Sequence, residues 1–242
     1  MTVAPRVVFI TQARTGSTRL PDKVMKVVEG KSVLHWFLKR ALRCATLSAV
    51  CVATTEHPHD DCLAAYVRAE FPDVHVARGS EQDVLSRYIL AARETDADII
   101  VRVTSDCPFF DWDLTDRCVR TLIEKKADAV RTLRGYFPIG LDVEVFTRHA
   151  LETAQRNADE PAEREHVGPY IFQTHSEEFA IHWVKNEGPD WPECRLTLDY
   201  PEDYELVQKL YAEVGPEAPA EEYRRFLKVH PEVAESNLRR IF

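Results

Sequence analysis

Three cationic side chains lie close together in the loop that is predicted to leave the first strand. The segment QARTGSTRLPDK, residues 12–23, carries Arg14, Arg19 and Lys23 and follows the short apolar run VVFI. The Gly-Ser-Thr sequence between them supplies a flexible backbone and small donors, while guanidinium forks and an ammonium group suit phosphate oxygens. These residue types predict a loop that binds a polyphosphate. A solvated loop paired with surface carboxylates is the alternative.

An aspartate holds the equivalent position after a later predicted strand. Asp106, in the segment RVTSDCPFFD, follows a buried apolar run and precedes Pro108. Ligands of α/β proteins bind at the carboxyl ends of parallel strands, and Mg²⁺ takes one or two carboxylates together with water and substrate phosphates. Asp106 is therefore a candidate metal ligand, with a turn or helix-capping aspartate as the alternative.

A second candidate ligand lies far downstream in the chain. Asp199, in RLTLDYPED, ends a predicted strand directly before a helix that has Pro201 near its first position. Taken alone, Asp199 is typical of a helix N-cap. Taken with Asp106 and the basic loop, it predicts that two carboxylates from different strand ends share one Mg²⁺.

Three further segments contain residue types found in active sites. EREHVGPYI, residues 163–171, sets an acid, a base and the imidazole of His166 before a Gly-Pro break, and a surface or partner-facing histidine is the alternative. The run EHPHDD, residues 56–61, has helix-start spacing and is predicted to be solvated. Asp111 and Asp113, in DWD, are predicted to cap the next helix.

Alternating strands and helices must position these groups. Ser32 is a predicted cap, and apolar residues follow it at helical spacing. The same kind of alternation continues through the first half of the chain, and strands separated by helices of this length imply a parallel sheet with right-handed crossovers. The predicted strands are residues 6–11, 49–54, 74–77 and 98–103, and the predicted helices are residues 33–44, 60–70, 82–95 and 113–126.

After residue 127 the predicted elements become shorter and less regular. They are strands at 129–133, 141–146 and 179–184, helices at about 147–157 and 164–174, and then a strand running into a helix in RLTLDYPEDYELVQKLY. A sheet that is interrupted by a small inserted lobe and then completed is the simplest interpretation. We therefore expect one domain over residues 1–242, with a nucleotide-binding half at 1–127, a lobe at 128–190 and sheet completion at 191–242.

Composition narrows the function classes. The chain has 242 residues, 45% of them hydrophobic, and a formal net charge of -9 with a pI near 5.5. This acidity argues against a nucleic-acid interface, which needs a broad basic field, whereas a small anionic ligand needs only one local cluster. Six scattered cysteines without a CxxC pair favour reduced thiols in the cytoplasm, and no apolar stretch approaches the roughly 20 residues of a membrane span.

An ordered set of motifs resembles one family over nearly the whole chain. QARTGSTRLPDKVM, TSDCP, GLDVEVF, EREHVGPYIF and LTLDYPEDYELV occur in the order typical of the SpsF-like cytidylyltransferases, relatives of the synthetases that make CMP-activated acylneuraminate and CMP-KDO. The resemblance implies an α/β fold of the nucleotide-diphospho-sugar transferase (Rossmann-like) type with a mixed, mostly parallel sheet. It also implies CTP as a substrate, Mg²⁺ as a cofactor, and a homodimer formed through the inserted lobe.

The resemblance further implies roles for individual residues. Lys23, Arg14 and Arg19 would act in catalysis at the triphosphate, and Asp106 and Asp199 would bind Mg²⁺. The residues expected to contact the nucleotide are Ala13, Arg14, Gly16, Ser17, Arg19, Lys23, Gly79, Ser80, Arg87 and Asp106. The residues expected to face the acceptor are Asp142, Glu144, Arg164, Glu165 and His166.

Two positions depart from the family pattern. Asp22 stands where the family usually has glycine, and an aspartate can adopt a positive φ at modest strain. Gly168 stands where relatives often have threonine, so a hydroxyl that could contact substrate is absent. These changes bear on loop geometry and acceptor choice, and the reaction class stays the same.

The sequence thus leads to a hypothesis of CMP transfer from CTP to a sugar or another small acceptor, with release of pyrophosphate, for surface polysaccharide or glycoconjugate biosynthesis. The acceptor oxygen is either a hydroxyl or a phosphate. A metal-dependent glycosyltransferase that uses a nucleotide sugar through Asp111-Trp112-Asp113 is the first alternative. A non-catalytic nucleotide-binding homologue is the second.

Overall fold

A central sheet and its flanking helices make up most of the computed structural model, which describes residues 4–238. The strands are β1 Val7–Gln12, β2 Val27–Val28, β3 Lys31–Ser32, β4 Ala49–Thr55, β5 His75–Gly79, β6 Ile99–Arg102, β7 Ala129–Thr132, β8 Glu144–Thr147 and β9 Ile181–Val184. Seven of them form one sheet in the order β5-β4-β1-β6-β8-β7-β9, and β2 pairs with β3 in a separate hairpin.

The helices cover both faces of this sheet. They are α1 Val33–Ala41, α2 Asp61–Glu70, α3 Val84–Glu94, α4 Trp112–Lys125, α5 Arg148–Asn157, α6 Pro161–His166, α7 Pro201–Val214, α8 Ala220–Val229 and α9 Glu235–Leu238. Short 3₁₀ turns occur at Lys23–Met25, Pro58–Asp60, Ser176–Glu178 and Pro231–Val233, and a π-helical turn at Tyr170–Thr174. Within residues 4–238, none of the helices combines the length and apolar character needed to cross a bilayer.

The predicted fold class is confirmed. The strands β5, β4, β1 and β6 pair with one another in parallel, as the β-α alternation requires. Antiparallel pairing occurs where β8 lies between β6 and β7, so the sheet is mixed and mostly parallel. Ser32 caps α1 as predicted, because its hydroxyl oxygen accepts a hydrogen bond from the His35 backbone N–H at 3.0 Å.

The strand order reverses beside β1. From β1 the chain moves outward through β4 to β5, and it then returns to the opposite side of β1 as β6. At such a switch point the loops that leave two neighbouring strands diverge and leave a crevice between them. Here those are the loops after Gln12 and after Arg102, which carry the basic segment and Asp106.

The strand predicted at the start of RLTLDYPED is wrong. This segment is extended, but the Leu196 N–H donates to the carbonyl oxygen of Ile139 and the Leu198 N–H donates to that of Asp106, each at 2.7 Å. Its backbone therefore pairs with loops at the strand ends and not with a strand edge. Among the described residues, the lobe strands β7, β8 and β9 complete the sheet, and residues 191–238 add no strand to it.

The single helix predicted at residues 164–174 is also wrong. Helix α6 ends at His166, and Val167 adopts φ +66° and ψ −58°. The Gly168 N–H donates to the His166 carbonyl oxygen at 2.7 Å, which closes a three-residue γ-turn. Pro169 follows, and a residue before proline is disfavoured in the helical region, so the chain restarts as a π-helical turn.

Two apolar layers hold the sheet between the helices. Side chains of β1 alternate between them, because Phe9 packs on the side of Phe37 and Phe110 whereas Ile10 packs on the side of α3 and α5. A third cluster lies under α7 and α8, and it contains the buried Leu198. The extended segment before Asp199 is thus held by its own apolar residues as well as by its backbone.

Gly140 allows the close contact between the loop before β8 and this extended segment. Its φ is +105°, and a Cβ atom there would lie 2.5 Å from the Leu196 backbone, whereas Gly135 has φ +85° and open space around it. We expect Gly135→Ala to lose about 1–2 kcal/mol of unfolding free energy from backbone strain alone. Gly140→Ala should lose at least about 2 kcal/mol more in denaturant unfolding. Equal losses would contradict the steric argument.

Candidate active site

A cavity of about 880 Å³ opens where the loops after β1 and β6 diverge. Most of the predicted site residues line it, which brings together side chains from the first loop, α3, β6, α6 and the segment before α7. The lining set includes Ala13, Arg14, Ser17, Arg19, Lys23, Arg87, Asp106, Arg164, Glu165, His166 and Asp199. Gly16, Gly79, Ser80, Asp142 and Glu144, which were also predicted, are not among the lining residues.

The basic loop is anchored through a buried aspartate that sequence reasoning missed. Asp60 is 3% exposed, and its Oδ1 accepts hydrogen bonds from the backbone N–H of Thr15 at 2.7 Å and from its hydroxyl at 2.8 Å. The Thr55 hydroxyl donates to the other carboxylate oxygen. The prediction that residues 56–61 are solvated is therefore wrong for Asp60, because it satisfies the loop backbone from behind.

Asp22 closes the loop in the left-handed conformation expected of glycine, the residue that the family pattern usually has at this position. Its φ of +54° and ψ of +27° lie in the left-handed region, where glycine is the usual residue and aspartate is tolerated. Its N–H donates to the Thr15 carbonyl oxygen at 3.2 Å, and its carbonyl accepts from the Met25 N–H at 2.8 Å. The substitution thus preserves the turn, and its side chain is exposed.

Asp106 and Asp199 converge on one ammonium group. The Nζ of Lys23 donates to Asp106 Oδ2 at 2.9 Å and to Asp199 Oδ1 at 3.0 Å. Burial alone would lower the pKa of Lys23, but the two carboxylates outweigh it and raise that pKa. The predicted convergence of the two acids is therefore present, and a lysine from the basic loop lies between them.

Backbone contacts explain why two acids so distant in sequence meet. The hydrogen bond from Leu198 N–H to the Asp106 carbonyl ties the segment before Asp199 to the loop after β6. The same loop is tied to β1, because the Ser105 hydroxyl donates to the Gln12 carbonyl at 2.7 Å. Three chain segments are thus joined within a few residues of the site.

A buried network supports Asp199 from behind. Arg195 donates through Nη2 to Asp199 Oδ2 at 2.5 Å and through Nη1 to both oxygens of Asp203 at 3.0–3.1 Å. Asp203, which is fully buried, also accepts from the backbone N–H groups of Asp199 and Tyr200 at 2.8 and 2.9 Å. Asn237 of α9 donates to Asp203 and to the Arg195 carbonyl.

This network was only partly visible in the sequence. Pro201 and the acids after it indicated the first turn of α7, and Asp203 does complete a capping box with Tyr200. Asp199 is therefore not the N-cap, which frees its carboxylate to face the cavity. The contact between Arg195 and Asp199 was not visible in the sequence, because i, i+4 spacing brings side chains together on a helix and this segment is extended. Asn237 comes from a helix with no motif that points to the site.

The other two predicted cations lie on opposite sides of the loop. Arg19 donates to Asp199 Oδ1 at 3.0 Å and to the Tyr200 hydroxyl at 3.2 Å. Arg14 pairs with Glu81 at 2.9 Å, and both partners are about half exposed. Burial by itself would raise the pKa of Asp199, but Lys23, Arg195 and Arg19 outweigh it and hold that pKa below its ordinary value. Asp199 is thus ionised at neutral pH.

The predicted nucleoside residues form a turn beneath the cavity. Arg87 is buried on α3, and its Nη1 donates to the Ser80 carbonyl at 2.7 Å. The Ser80 hydroxyl accepts from the Asp83 N–H at 3.0 Å, and Gly79 ends β5 where an added Cβ atom would lie 3.5 Å from the Arg87 side chain. Arg87 lines the cavity, while Gly79 and Ser80 hold the loop that precedes α3.

The predicted acceptor residues divide into two groups. Glu165 and His166 are exposed at the cavity, and the strained γ-turn at Val167 sets the direction in which α6 ends. Arg164 lines the same wall, but its guanidinium donates to Asp83 and to the carbonyls of residues 155 and 158. Arg164 therefore braces α6 against the loop before α3.

Glu144 lies behind the cavity wall, and Asp142 is a partly exposed residue outside the lining set. Glu144 is buried and pairs at 2.6 Å with Arg102, which lines the cavity, while Asp142 lies 3.8 Å from Arg131. A Cβ atom on Gly168 would lie 2.8 Å from the Glu144 carboxylate. In this chain the carboxylate thus occupies space next to Gly168 that a larger side chain would need.

Asp111 and Asp113 lie apart from these residues. Asp111 Oδ1 accepts from the Leu114 N–H at 2.9 Å and caps α4, as predicted. Both acids line a separate cavity of about 230 Å³. The Asp-x-Asp motif required by the glycosyltransferase alternative is therefore not part of the main site.

Comparison with known proteins shows the family. The sequence model of the cytidylyltransferase family matches residues 8–229. The chain belongs to that family. It is 32% identical over 239 residues to the spore coat polysaccharide biosynthesis protein SpsF of Bacillus subtilis, covering 94% of the chain and 96% of SpsF. The protein is thus a CTP-dependent nucleotidyltransferase, and the predicted SpsF-like family is confirmed.

Solved structures support the assignment of this chain to the cytidylyltransferase family. A cytidylyltransferase from Leptospira borgpetersenii serovar Hardjo-bovis has a TM-score of 0.88 and 31% identity, and the match covers 96% of this chain and 98% of the other. CMP:2-keto-3-deoxy-manno-octonic acid synthetase complexed with CTP has a TM-score of 0.64 and 17% identity, over 86% of this chain and 99% of that one. The second similarity shows a shared fold.

The donor set of the cytidylyltransferase site fits a divalent cation that arrives with phosphates. Asp106 and Asp199 present carboxylate oxygens within reach of one Nζ atom. Over residues 4–238, no cluster of three or more His, Cys, Asp or Glu side chains is arranged to hold a metal ion. Mg²⁺ commonly binds through one or two carboxylates and completes its shell with water and substrate oxygens, so two acids are enough.

The buried Asp203 should matter for stability far more than an exposed acid of the same helix. Asp203→Asn removes the negative charge that compensates Arg195 and weakens the hydrogen bonds that the carboxylate accepts from two backbone N–H groups. We expect it to lower the free energy of unfolding by about 2–4 kcal/mol. Glu205→Gln, at an exposed position of α7, should change it by less than about 0.5 kcal/mol. Chemical denaturation measures both. Similar small losses would show that Asp203 does not stabilise this segment.

Proposed function

We propose that the protein catalyses Mg²⁺-dependent transfer of CMP from CTP to an oxygen of a sugar or another small acceptor, with release of pyrophosphate. The observation that carries the proposal is the meeting of Asp106 and Asp199 at Lys23, in a cavity that Arg14 and Arg19 also line. Two acids and three cations in one cavity match the needs of a metal-bound triphosphate.

The cations of the first loop are proposed to bind the triphosphate. Arg19 and Lys23 lie next to the two acids, and Arg14 lies across the loop. Ser17 also lines the cavity, and its N–H already donates to Thr15 within the loop. Guanidinium forks bind phosphate oxygens in pairs, so the arginines would orient the chain of phosphates and neutralise the departing pyrophosphate. Arg14 would exchange Glu81 for phosphate.

Asp106 and Asp199 are proposed to hold Mg²⁺. The metal would act as a Lewis acid on phosphate oxygens when bound. The acceptor oxygen then forms a bond to the α-phosphorus while the bond from that phosphorus to the bridging oxygen breaks. Pyrophosphate leaves with the electron pair of the broken bond, and an attacking hydroxyl gives its proton to water in the cavity, whereas an ionised phosphate oxygen has no proton to give. The protein contributes mainly alignment and charge compensation.

Glu165 and His166 are proposed to contact the acceptor. They are exposed at the wall of the cavity formed by the end of α6, while Arg164 is engaged with Asp83. Glu144 and Asp142 are proposed to act indirectly, because Glu144 holds Arg102 and Asp142 lies near Arg131. The name of SpsF supports a role in surface polysaccharide or glycoconjugate biosynthesis.

Removal of the Asp106 charge tests the reaction. With CTP, Mg²⁺ and a panel of sugar and polyol acceptors, Asp106→Asn should release pyrophosphate on the order of a hundredfold more slowly than the unmodified protein. Asp113→Asn, at an exposed acid of the separate cavity, should retain nearly normal release. Replacing CTP by other nucleoside triphosphates in the same assay measures the base preference.

Three outcomes, the second of them measured with a nucleotide sugar in place of CTP, would contradict the proposal. Near-normal pyrophosphate release by Asp106→Asn would remove that carboxylate from the chemistry. Loss of activity in Asp113→Asn, with a nucleoside diphosphate as product from a nucleotide sugar, would favour the glycosyltransferase alternative. Absence of any turnover together with CTP binding would indicate the non-catalytic homologue.

We also propose a homodimer formed through the lobe that contains β9. This strand is an edge of the sheet, and Trp183 on it is 43% exposed. An unpaired edge with a large apolar side chain is a favourable surface for a second copy. Sedimentation velocity should show a dimer that Trp183→Glu converts to monomer, while Val229→Glu on α8 leaves it intact. A monomeric unmodified protein would refute this arrangement.

The cytoplasm is the compartment we propose for the reaction. All six cysteines are free, and five of them are buried. Reduced thiols are the state maintained in cytosolic proteins.

A further inference from the structure

Lys23 lies where two different roles conflict. As a residue of the basic loop it would contact the triphosphate, but its ammonium group donates to both carboxylates that would hold the metal. A divalent cation and an ammonium group cannot lie together between the same two oxygens, because like charges in contact repel strongly. Both roles are compatible only if Lys23 moves between them.

We propose that Lys23 closes the Asp106–Asp199 site to free divalent cations, so that the site takes the metal only as its complex with a nucleoside triphosphate. The proposal rests on the assignment of the two acids in the proposed function. When the metal–triphosphate complex enters, Lys23 leaves the carboxylates and contacts phosphate oxygens. The basic loop thus controls which form of the metal is bound.

The charges around the acids favour this order of binding. Lys23 is within hydrogen-bonding distance of both carboxylates, Arg19 and Arg195 are within that distance of Asp199, and Asp203 compensates Arg195 from behind. The carboxylates are therefore already neutralised before any metal arrives. A free cation would add positive charge to a compensated site, whereas a triphosphate brings the negative charge that the displaced ammonium group needs.

Lys23 is also the cation whose movement would open the space between the two acids. Arg195 is buried and donates through Nη1 to both oxygens of Asp203, so its departure would leave a buried carboxylate uncompensated. Arg19 contacts only Asp199 of the two acids and is half exposed. A lysine carries its charge on a flexible four-carbon stem, and its three donors need no fixed plane. The side chain of Lys23 lines the cavity together with Ser17 and Arg19.

The binding of Mn²⁺, measured by electron paramagnetic resonance without any acceptor, tests the proposal. The unmodified protein should bind Mn²⁺ alone at least about tenfold more weakly than it binds Mn²⁺ with CTP, because the Lys23 ammonium group competes for the two carboxylates. Lys23→Met should bind Mn²⁺ alone at least about tenfold more tightly than the unmodified protein, because the competing ammonium group is gone. Lys23→Gln should show the same gain, and circular dichroism checks that both variants fold.

Arg19→Met is the matched control. It removes a cation that contacts only Asp199 and is half exposed, so its gain in affinity for Mn²⁺ alone should stay below about threefold. Adding Asp106→Asn to Lys23→Met should abolish the gain. The proposal is overturned if the unmodified protein binds Mn²⁺ alone as tightly as Lys23→Met. It is also overturned if Arg19→Met gains as much, or if the double variant keeps the gain.

These results can be separated from the fate of the proposed function. Pyrophosphate release reports on the transfer reaction, whereas binding of Mn²⁺ alone reports on the two acids and Lys23. A gain in Lys23→Met that requires Asp106 supports the inference even if no tested acceptor is used. Normal turnover together with no gain would refute the inference and leave the proposed reaction intact.

Discussion

Asp106 and Asp199 bring two negative charges into one cavity, and the surrounding structure has to keep them there. Repulsion between the carboxylates is offset by Lys23 between them and by Arg19 and Arg195 beside Asp199. The compensation works because the backbone has already set the positions, through the hydrogen bond from Leu198 to Asp106. Electrostatics and backbone pairing therefore depend on each other. Without the cations the two carboxylates would repel each other, and without the backbone contact they would not meet.

The support for this pair extends well away from the cavity. Asp203 is fully buried, and its hydrogen bonds join Arg195, the first turn of α7 and Asn237 of α9 in one network. On the other side, Asp60 holds the backbone of the basic loop through Thr15. Asp203 and Asp60 are both buried, and each accepts hydrogen bonds from several donors. These bonds offset the free-energy cost of keeping a charged carboxylate away from water. The exposed cations of the loop can then respond to a ligand while their backbone stays in place.

Much of this arrangement followed from local patterns. The β-α alternation predicted the parallel part of the sheet, and the position of Arg14, Arg19 and Lys23 after the first strand predicted their common cavity. The errors share one cause. Residues 195–199 have the alternation of a strand, and residues 164–174 have helical composition, but their hydrogen bonds are decided by distant partners and by Pro169. Residues 56–61 were predicted to be solvated because no nearby residue indicates that the Asp60 carboxylate would accept hydrogen bonds from Thr15 of the basic loop.

The sequence by itself determined the fold class, the family, the strand-exit position of the cations and the identity of the two acids. The fold class and the strand-exit positions depend on residue type and on spacing within a short window, where the strand-helix period carries the information. The family followed from the order of several such motifs along the chain. The tertiary structure alone decided that Lys23 lies between the acids, that Arg195, Asp203 and Asn237 support them, and that Glu144 lies behind the wall beside Gly168. Those contacts join residues far apart in the chain, and only the packing of the sheet, loops and C-terminal helices sets their distances.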